Sequence, residues 1–234
     1  MMLRIFQHGL VGAAILTFSV ACVGDDPGKD SEWQKDFDLS SCNLVNTGKN
    51  QYFILEPGYQ LVLQKDEETL QITVLNDTKM VDGVLTRVVE EREWDEEEVV
   101  EVSRNYFAIC EQTKDVFYFG EDVDNYKDGK VDNHDGSWLA GDGENKPGLF
   151  MPGTPQEKMK FYTEVAPGVA MDRAEIVSLK ETCKTPAGTF ASCMKVEEGT
   201  ALNYLEKEYK YHAPGVGLIQ DESLVLIKYG MTQP

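Results

Sequence analysis

Basic side chains are scarce in this chain. Its 234 residues include 22 Lys and Arg against 41 Asp and Glu, which gives a formal net charge of −19 at pH 7. Nucleic-acid binding depends on Lys and Arg that neutralise phosphates, so this balance excludes a nucleic-acid partner. An anionic lipid surface also repels such a protein, and we expect the folded domain to stand away from any membrane.

Histidine is rare, and recognisable catalytic motifs are missing. The chain has three histidines and contains no Gly-x-Ser-x-Gly, His-Glu-x-x-His or phosphate-binding glycine motif. A Ser–His or Cys–His device needs a histidine that a third group orients. Only His134 and His212 lie beyond the N-terminal leader, and His212 precedes Ala-Pro-Gly, where we expect it to fill a turn. We therefore predict that the protein is not an enzyme and carries no cofactor.

The N-terminal leader contains the one long apolar run, in residues 10–20, after a short basic start at Arg4. This run is too short to cross a bilayer of about 30 Å as a helix and is typical of a secretory signal. Small residues precede Cys22 in the pattern of a bacterial lipobox. We predict that residues 1–21 are a signal peptide and that Cys22 is the acylated first residue of a lipoprotein. Cleavage after Ala21 without lipidation is the alternative.

The segment after the leader indicates where the protein is attached. Val23 stands where the inner-membrane retention signal of enteric lipoproteins has Asp, which favours the outer membrane or cell surface. The domain can face either side of the outer membrane. Residues 22–33 are polar and rich in Gly, Pro and Asp, and we predict that they form the lipidated start and a flexible tether. Residues 34–234 are then expected to form a single β domain, joined to the membrane through the N-terminal lipid.

Four cysteines remain when Cys22 is set aside, and an oxidising compartment favours disulfides among them. Cys183 and Cys193 flank Thr-Pro-Ala-Gly-Thr, a turn-like segment that joins two arms of a hairpin. We predict a Cys183–Cys193 disulfide and, by elimination, a Cys42–Cys110 disulfide that pins the N-terminal segment to a central strand. A four-cysteine metal site is the alternative, although the chain has no Cys-x-x-Cys spacing.

Strand-like runs alternate with turn signals from residue 52 onward. Residues 70–74 alternate apolar and polar side chains, and Asp82-Gly83 and Asp128-Gly129 separate β-branched or aromatic runs, as in tight hairpins. Sustained helical periodicity is absent from the sequence. We therefore predict an all-β protein, a single antiparallel meander that forms a curled sheet or half-open barrel.

Several turn motifs are spread over most of residues 50–228. They are Phe119-Gly120-Glu121-Asp122, Gly136-Ser137-Trp138, Pro147-Gly148, Met151-Pro152, Pro186-Ala187-Gly188-Thr189-Phe190 with Cys193, and Ala213-Pro214-Gly215-Val216-Gly217-Leu218. Together they resemble a widespread set of uncharacterised bacterial secreted or lipoprotein β-proteins, a resemblance that implies no known activity. The closing motifs are also similar to β-sheet lipoproteins of the lipoprotein-carrier type, which implies a half-open barrel that shelters acyl chains.

An acidic segment between residues 124 and 135 has the spacing of a calcium loop. Counted from its first Asp, acids occupy positions 1, 5, 9 and 12, and glycine occupies position 6. Tyr126 stands at position 3, where an oxygen ligand belongs, and no amphipathic helix flanks the segment. We interpret it as a hairpin with exposed acids and keep as the alternative a weak calcium site formed by Asp124, Asp128, Asp132 and Asp135.

The remaining patterns complete a prediction of function. Residues 90–101 hold eight acids in twelve positions, and we expect residues 95–98 to form a solvated hairpin tip. Residues 141–156 are rich in Pro and Gly and predict a crossover segment with its apolar residues in the core, or a flap over a cavity. We predict a lipid-anchored, acidic, non-catalytic envelope protein that binds or scaffolds an unknown protein or ligand. The alternatives are a carrier or sensor of an apolar ligand, and a weak calcium binder.

Overall fold

The computed structural model describes residues 32–232 as β-strands joined by turns and short irregular segments. No helix occurs in these residues, which confirms the all-β prediction. The predictions of a signal peptide in residues 1–21, of acylation at Cys22 and of most of the tether fall outside the described residues.

The described chain contains eighteen strands. The first nine are β1 (Leu44–Val45), β2 (Gly48–Lys49), β3 (Ile54–Leu55), β4 (Tyr59–Lys65), β5 (Glu68–Val81), β6 (Val84–Asp95), β7 (Glu98–Cys110), β8 (Val116–Lys127) and β9 (Lys130–Asn133). The others are β10 (Trp138–Leu139), β11 (Lys146–Met151), β12 (Lys160–Tyr162), β13 (Glu164–Val165), β14 (Asp172–Thr185), β15 (Gly188–Thr200), β16 (Lys207–Ala213), β17 (Gly217–Asp221) and β18 (Leu224–Met231).

Sixteen of these strands form one antiparallel sheet that curls into a nearly closed barrel with one open seam. The sheet consists of two meanders, β4 to β8 and β14 to β18, which join where β18 pairs with β4 and Leu226 lies opposite Leu63. The order along the sheet is β12-β14-β15-β16-β17-β18-β4-β5-β6-β7-β8-β11-β13. Long twisted strands with several register shifts favour such curling. The prediction of a curled sheet or half-open barrel is confirmed.

Alternation along the strands separates the inside of the barrel from its outer surface. In β5, Leu70, Ile72 and Val74 are buried, whereas the residues between them are partly exposed. In β18, Leu224 and Leu226 are buried in the same way. Residues of both meanders belong to one hydrophobic core. Each large apolar side chain buried there contributes about 1.5–3 kcal/mol, which favours closure of the sheet over an open form.

The predicted hairpin turns have the backbone geometry that their residues favour. Asp82-Gly83 has φ of 48° and 75°, and Asp128-Gly129 has φ of 51° and 71°, as a two-residue turn with both centres left-handed requires. A third turn of this kind uses Glu96-Glu97, with φ of 47° and 69°, although neither residue is glycine. Residues 95–98 are exposed there, which confirms the predicted solvated tip.

Two of the recurring glycine motifs mark places where strands approach closely. Gly120 has φ of 117°, and a Cβ atom at this position would lie 2.2 Å from the carbonyl oxygen of Trp138 in β10. A Cβ atom at Gly148 in β11 would lie 2.1 Å from the carbonyl oxygen of Thr163. Because any side chain would collide with backbone at both positions, these motifs serve the packing of the barrel.

The N-terminal segment is held on the barrel by a disulfide. Cys42 and Cys110 are bonded, with their Cα atoms 5.1 Å apart, and Leu44 of β1 pairs with Cys110 of β7. Cys110 is fully buried. The predicted Cys42–Cys110 bond to a central strand is therefore confirmed.

The predicted Cys183–Cys193 disulfide is wrong for this structure, in which both cysteines are buried free thiols. The reason lies in the register of β14 and β15, which shifts between these positions. Cys183 lies opposite Phe190, and Cys193 lies opposite Glu181, so the two are not direct cross-strand partners. The thiols remain in hydrogen-bond contact. Burial, together with this hydrogen bond to Cys193, raises the pKa of Cys183 to about 12.

The tether ends earlier than the sequence predicts. Trp33, at the end of the predicted tether, packs its ring against Arg173, with the guanidinium carbon 4.4 Å from the ring centroid. The next residue, Gln34, bridges to Phe161 and donates its backbone N–H to the Lys160 carbonyl over 3.0 Å. The cation–π contact and the β-bridge hold these residues on the barrel, so Trp33 does not belong to a free tether.

Candidate functional site

A cavity lies inside the barrel where the two meanders face each other. About 40 Å³ of it is wide enough for the centre of a water molecule. Apart from the Tyr59 hydroxyl, its polar side chains are Glu91 and His212. The lining consists of Phe53, Ile54, Tyr59, Leu61, Ile72, Val74, Val89, Glu91, Phe150, His212, Val216, Gly217 and Leu218.

The cavity wall on the first meander follows from simple strand alternation. Ile72 in β5 lies opposite Glu91 in β6, and Val74 lies opposite Val89, so these side chains share the inner face of the sheet. Val89 and Glu91 are two residues apart, which places a carboxyl group where the pattern elsewhere has an apolar side chain. Glu91 is therefore an inner residue at the start of a run of otherwise more exposed acids.

Glu91 is a buried carboxyl group, with only 7% of its surface exposed. Among residues 32–232 it has no hydrogen-bond or ion-pair partner, in contrast to Glu90 beside it, which pairs with Arg92 over 3.2 Å. Burial raises the pKa of Glu91 to about 7, and the charge of Lys210 only partly opposes this effect. The carboxyl group thus titrates near neutral pH, which makes it sensitive to any charge placed in the cavity.

His212 lines the same cavity from β16 and is 4% exposed. Its Nδ1 atom has no hydrogen-bond partner within the described part of the chain. Burial, followed by the charge of Lys210, lowers the pKa of His212 to about 3, so the imidazole is neutral at pH 7. The expectation that His212 fills a turn is wrong, because the strand extends to Ala213 and places the ring inside the barrel.

Lys210, two residues before His212, is caged by carboxylates. Its Nζ atom lies 2.8 Å from Glu198, 2.9 Å from Glu208 and 3.8 Å from Asp221. The lysine side chain is 2% exposed. Burial alone would lower the pKa of Lys210, but the three carboxylates outweigh burial and raise it well above its usual value. Lys210 is therefore a fixed cation whose charge is already more than balanced by its neighbours.

The interior as a whole is acidic. Among the described residues, five carboxylic side chains are buried, and Arg87 and Lys210 are the buried basic ones. Arg87 donates to backbone carbonyls, with Asn46 O at 2.9 Å and Asn76 O at 2.7 Å, and so does not offset the acids near the cavity. The buried acids are Glu91, Glu121, Glu164, Glu208 and Asp221.

Tyr59 forms the wall between the cavity and an outer cleft. Its hydroxyl donates to the Val216 carbonyl over 2.9 Å, and its burial raises the pKa of the phenol to about 12. Ile54 and Tyr59 line both the cavity and the cleft, which has about 820 Å³ of open space and contains the exposed ion pair of Lys49 and Glu56. Ile54 and Tyr59 are therefore the side chains that the cavity and the cleft share.

Residues 141–156 contribute a strand to the barrel. They contain β11, which pairs with β8 and β13, and Leu149 and Met151 are buried in the core. This confirms the interpretation of a crossover segment with its apolar residues inside. Phe150, between them, turns to the cavity and lies 5.3 Å from Phe53, centroid to centroid. Phe150 is the residue of this segment that lines the cavity, and the alternative of a flap over a cavity applies to it alone.

The four aspartates of the predicted calcium site do not converge. Asp124, in β8, pairs with Arg104 over 2.9 Å and with His134 over 3.0 Å. Asp128 lies in the hairpin turn, and Asp132 and Asp135 are exposed on the returning strand and after it. Within residues 32–232, no group of three or more His, Cys, Asp or Glu side chains is arranged to hold a metal ion. The segment has the geometry of the simple hairpin.

The cavity, whose lining is apolar except for Tyr59, Glu91 and His212, is the candidate site, and no sequence motif singled out Glu91 or His212. The described chain has no helix long and apolar enough to span a membrane. No protein-family model, curated protein or solved structure matches the sequence or the fold.

Proposed function

We propose that the protein is a non-catalytic binding protein of the bacterial envelope that holds a small, largely apolar ligand inside its barrel. The observation that carries this proposal is the internal cavity, whose lining is apolar except for Tyr59, Glu91 and His212. Concave apolar sites with a few convergent polar groups are the usual form of small-molecule sites. Protein cores have few voids larger than a water molecule, and this cavity, with about 40 Å³ open to the centres of water-sized groups, is one of them.

The dimensions of the cavity define what fits. About 40 Å³ is available to the centres of water-sized groups, which suits a narrow chain of a few carbons and not a bulky molecule. A longer ligand extends past Ile54 and Tyr59 into the outer cleft. Each buried methylene group contributes about 0.8 kcal/mol, so a six-carbon chain is sufficient for measurable binding.

Lipidation of Cys22 is part of the same proposal. A lipid at the N-terminus anchors the acidic barrel to the outer membrane or the cell surface. In this arrangement the barrel receives its ligand from the space beside the membrane.

A titration with 1-hexanol, followed by ligand-observed NMR, tests the proposal on protein expressed from the full sequence and purified after export. We expect saturable binding to the wild type. Val74→Phe places a ring in the cavity and is expected to weaken binding roughly tenfold or more, because it displaces two or three methylene groups of the ligand. Val100→Phe makes the same change on the outer face of β7, where Val100 is 38% exposed, and is expected to leave binding unchanged.

A melting curve for each variant separates loss of the site from loss of the fold, since overpacking typically costs about 1–3 kcal/mol. Equal binding by the wild type and a folded Val74→Phe variant would place the ligand outside the cavity. Absence of saturable binding to the wild type for 1-hexanol, hexylammonium and hexanoate alike would contradict the proposed function.

A further inference from the structure

We propose that the polar group of the ligand is a cation, of the class of a protonated primary amine, held in the cavity by Glu91 and His212. This inference rests on the proposed function, because it names the ligand class for the same cavity.

The two polar side chains of the inner wall offer acceptors that no described residue uses. Glu91 has no hydrogen-bond partner among residues 32–232, and an ionised carboxylate only accepts hydrogen bonds. The Nδ1 atom of His212 is also without a partner there, and a neutral imidazole accepts through one ring nitrogen. An ammonium group has three N–H donors and no acceptor, so it complements both groups at once.

The charges near Glu91 select against an anion. Among the described residues, Glu93 and Asp221 are the acids whose charges act on Glu91, and Lys210 is the cation that acts on it. Lys210 is engaged by Glu198, Glu208 and Asp221, so its charge is not available to a guest. Within residues 32–232, a carboxylate in the cavity would face Glu91 without a free counter-charge, whereas an ammonium group would itself supply the positive charge.

The net charge of the whole chain acts in the same direction at longer range. With a formal charge of −19, the protein attracts cations and repels anions before contact. The exposed ion pair of Lys49 and Glu56 in the outer cleft is neutral overall, so it places no barrier to a cation at the mouth.

The test compares three probes that share one apolar chain: hexylammonium, 1-hexanol and hexanoate. Binding is measured by ligand-observed NMR on the processed protein at about pH 8, above the pKa of Glu91. We expect hexylammonium to bind roughly tenfold or more tightly than 1-hexanol, because a hydrogen bond to a charged partner is worth about 1.5–3 kcal/mol. Hexanoate is expected to bind most weakly.

Glu91→Gln keeps the shape of the side chain and removes its charge. We expect this variant to bind hexylammonium and 1-hexanol with similar affinity. Glu98→Gln changes the same residue type at an exposed position in β7 and is the matched control, for which the preference should persist. A melting curve confirms that each variant is folded.

The outcomes distinguish this inference from the proposed function on which it rests. If 1-hexanol binds to the wild type as well as hexylammonium does, or if hexanoate binds most tightly, the cation proposal is wrong and the apolar site stands. A preference for hexylammonium that survives Glu91→Gln places the cation elsewhere and also overturns the proposal. If none of the three probes binds, both proposals fail together.

Discussion

Glu91 and His212 line one cavity although their strands are far apart in the sheet. Glu91 lies in β6 and His212 in β16, and four strands, β17, β18, β4 and β5, separate them in the sheet order. The two side chains line the same cavity because the sheet curls back on itself after β18 pairs with β4. The candidate site is thus a product of barrel closure.

The stability of the protein is expected to fall as Glu91 ionises. The folded-state pKa of about 7 lies above the value of 4.5 that applies to the unfolded chain. For an acid whose pKa is raised by folding, the stability present below pH 4.5 is lost as the pH rises through 7. Glu91→Gln removes this loss, and we expect its free energy of unfolding to exceed that of the wild type by about 3 kcal/mol at pH 8.

Urea unfolding at pH 4.5 and at pH 8 measures this difference. The advantage of Glu91→Gln over the wild type should be small at the lower pH and large at the higher one. Glu98→Gln, at an exposed site, should show no such change. An advantage that does not depend on pH would show that Glu91 is not titrating in a buried site.

Lys210 is expected to be essential to the stability of the barrel. Lys210→Met leaves Glu198, Glu208 and Asp221 without their shared cation, and removal of one partner from a buried charge cluster typically costs about 3–5 kcal/mol. Lys207 lies in the same strand as Lys210, but its side chain is 60% exposed and pairs with Glu197 of β15. Lys207→Met removes this surface ion pair and should cost less than about 1 kcal/mol. Chemical denaturation of the two variants gives the comparison. Equal losses would show that the buried cage adds nothing beyond a surface ion pair.

Alkylation can show whether Cys183 and Cys193 are free thiols. Within residues 32–232, alkylation after unfolding without reductant should add two labels, on Cys183 and Cys193, because Cys42 and Cys110 are bonded. The native protein should resist the reagent, since both thiols are buried. Peptide mapping by mass spectrometry reads the result. A peptide that takes up label only after reduction would mean that the predicted disulfide forms in the exported protein.

Membrane attachment is expected to depend on Cys22. Cys22→Ser removes the thiol that would carry the lipid, and we predict that the variant no longer acquires an acyl chain and is lost from the outer-membrane fraction. Cell fractionation and metabolic labelling with a fatty acid give the answer, with the wild type as the reference. Persistence of the variant in the membrane fraction without label would point to attachment by another part of the chain.

Local sequence signals were sufficient for much of the fold. Asp82-Gly83 and Asp128-Gly129 predicted hairpins because these residue types adopt left-handed backbone angles readily, and both turns have those angles. The alternation of residues 70–74 likewise predicted a strand with one buried face. Signals of this kind depend only on neighbouring residues.

Such local signals could not predict the candidate site, because the site depends on the register of the strands and on the closure of the barrel. Glu91 stands in a run of acids, and only its pairing with Ile72 and Ser103 shows that it faces inward. His212 stands before a Pro-Gly turn, and only the position of β16 shows that its ring reaches the cavity. The register shifts between β14 and β15 similarly set Cys183 and Cys193 apart. Each of these features depends on residues that are distant in the chain, or on a register shift that no local motif indicates.

Native mass spectrometry of the exported protein tests the central claim most directly. The wild type, purified without added ligand and compared with the Val74→Phe variant, should carry an additional non-covalent mass that gentle desolvation preserves and stronger activation removes. The variant, whose cavity is filled, should lack that mass while retaining its folded charge-state distribution. A wild type that carries no additional mass, and that still carries none after incubation with hexylammonium or 1-hexanol, would contradict the account of the barrel as a ligand-binding site.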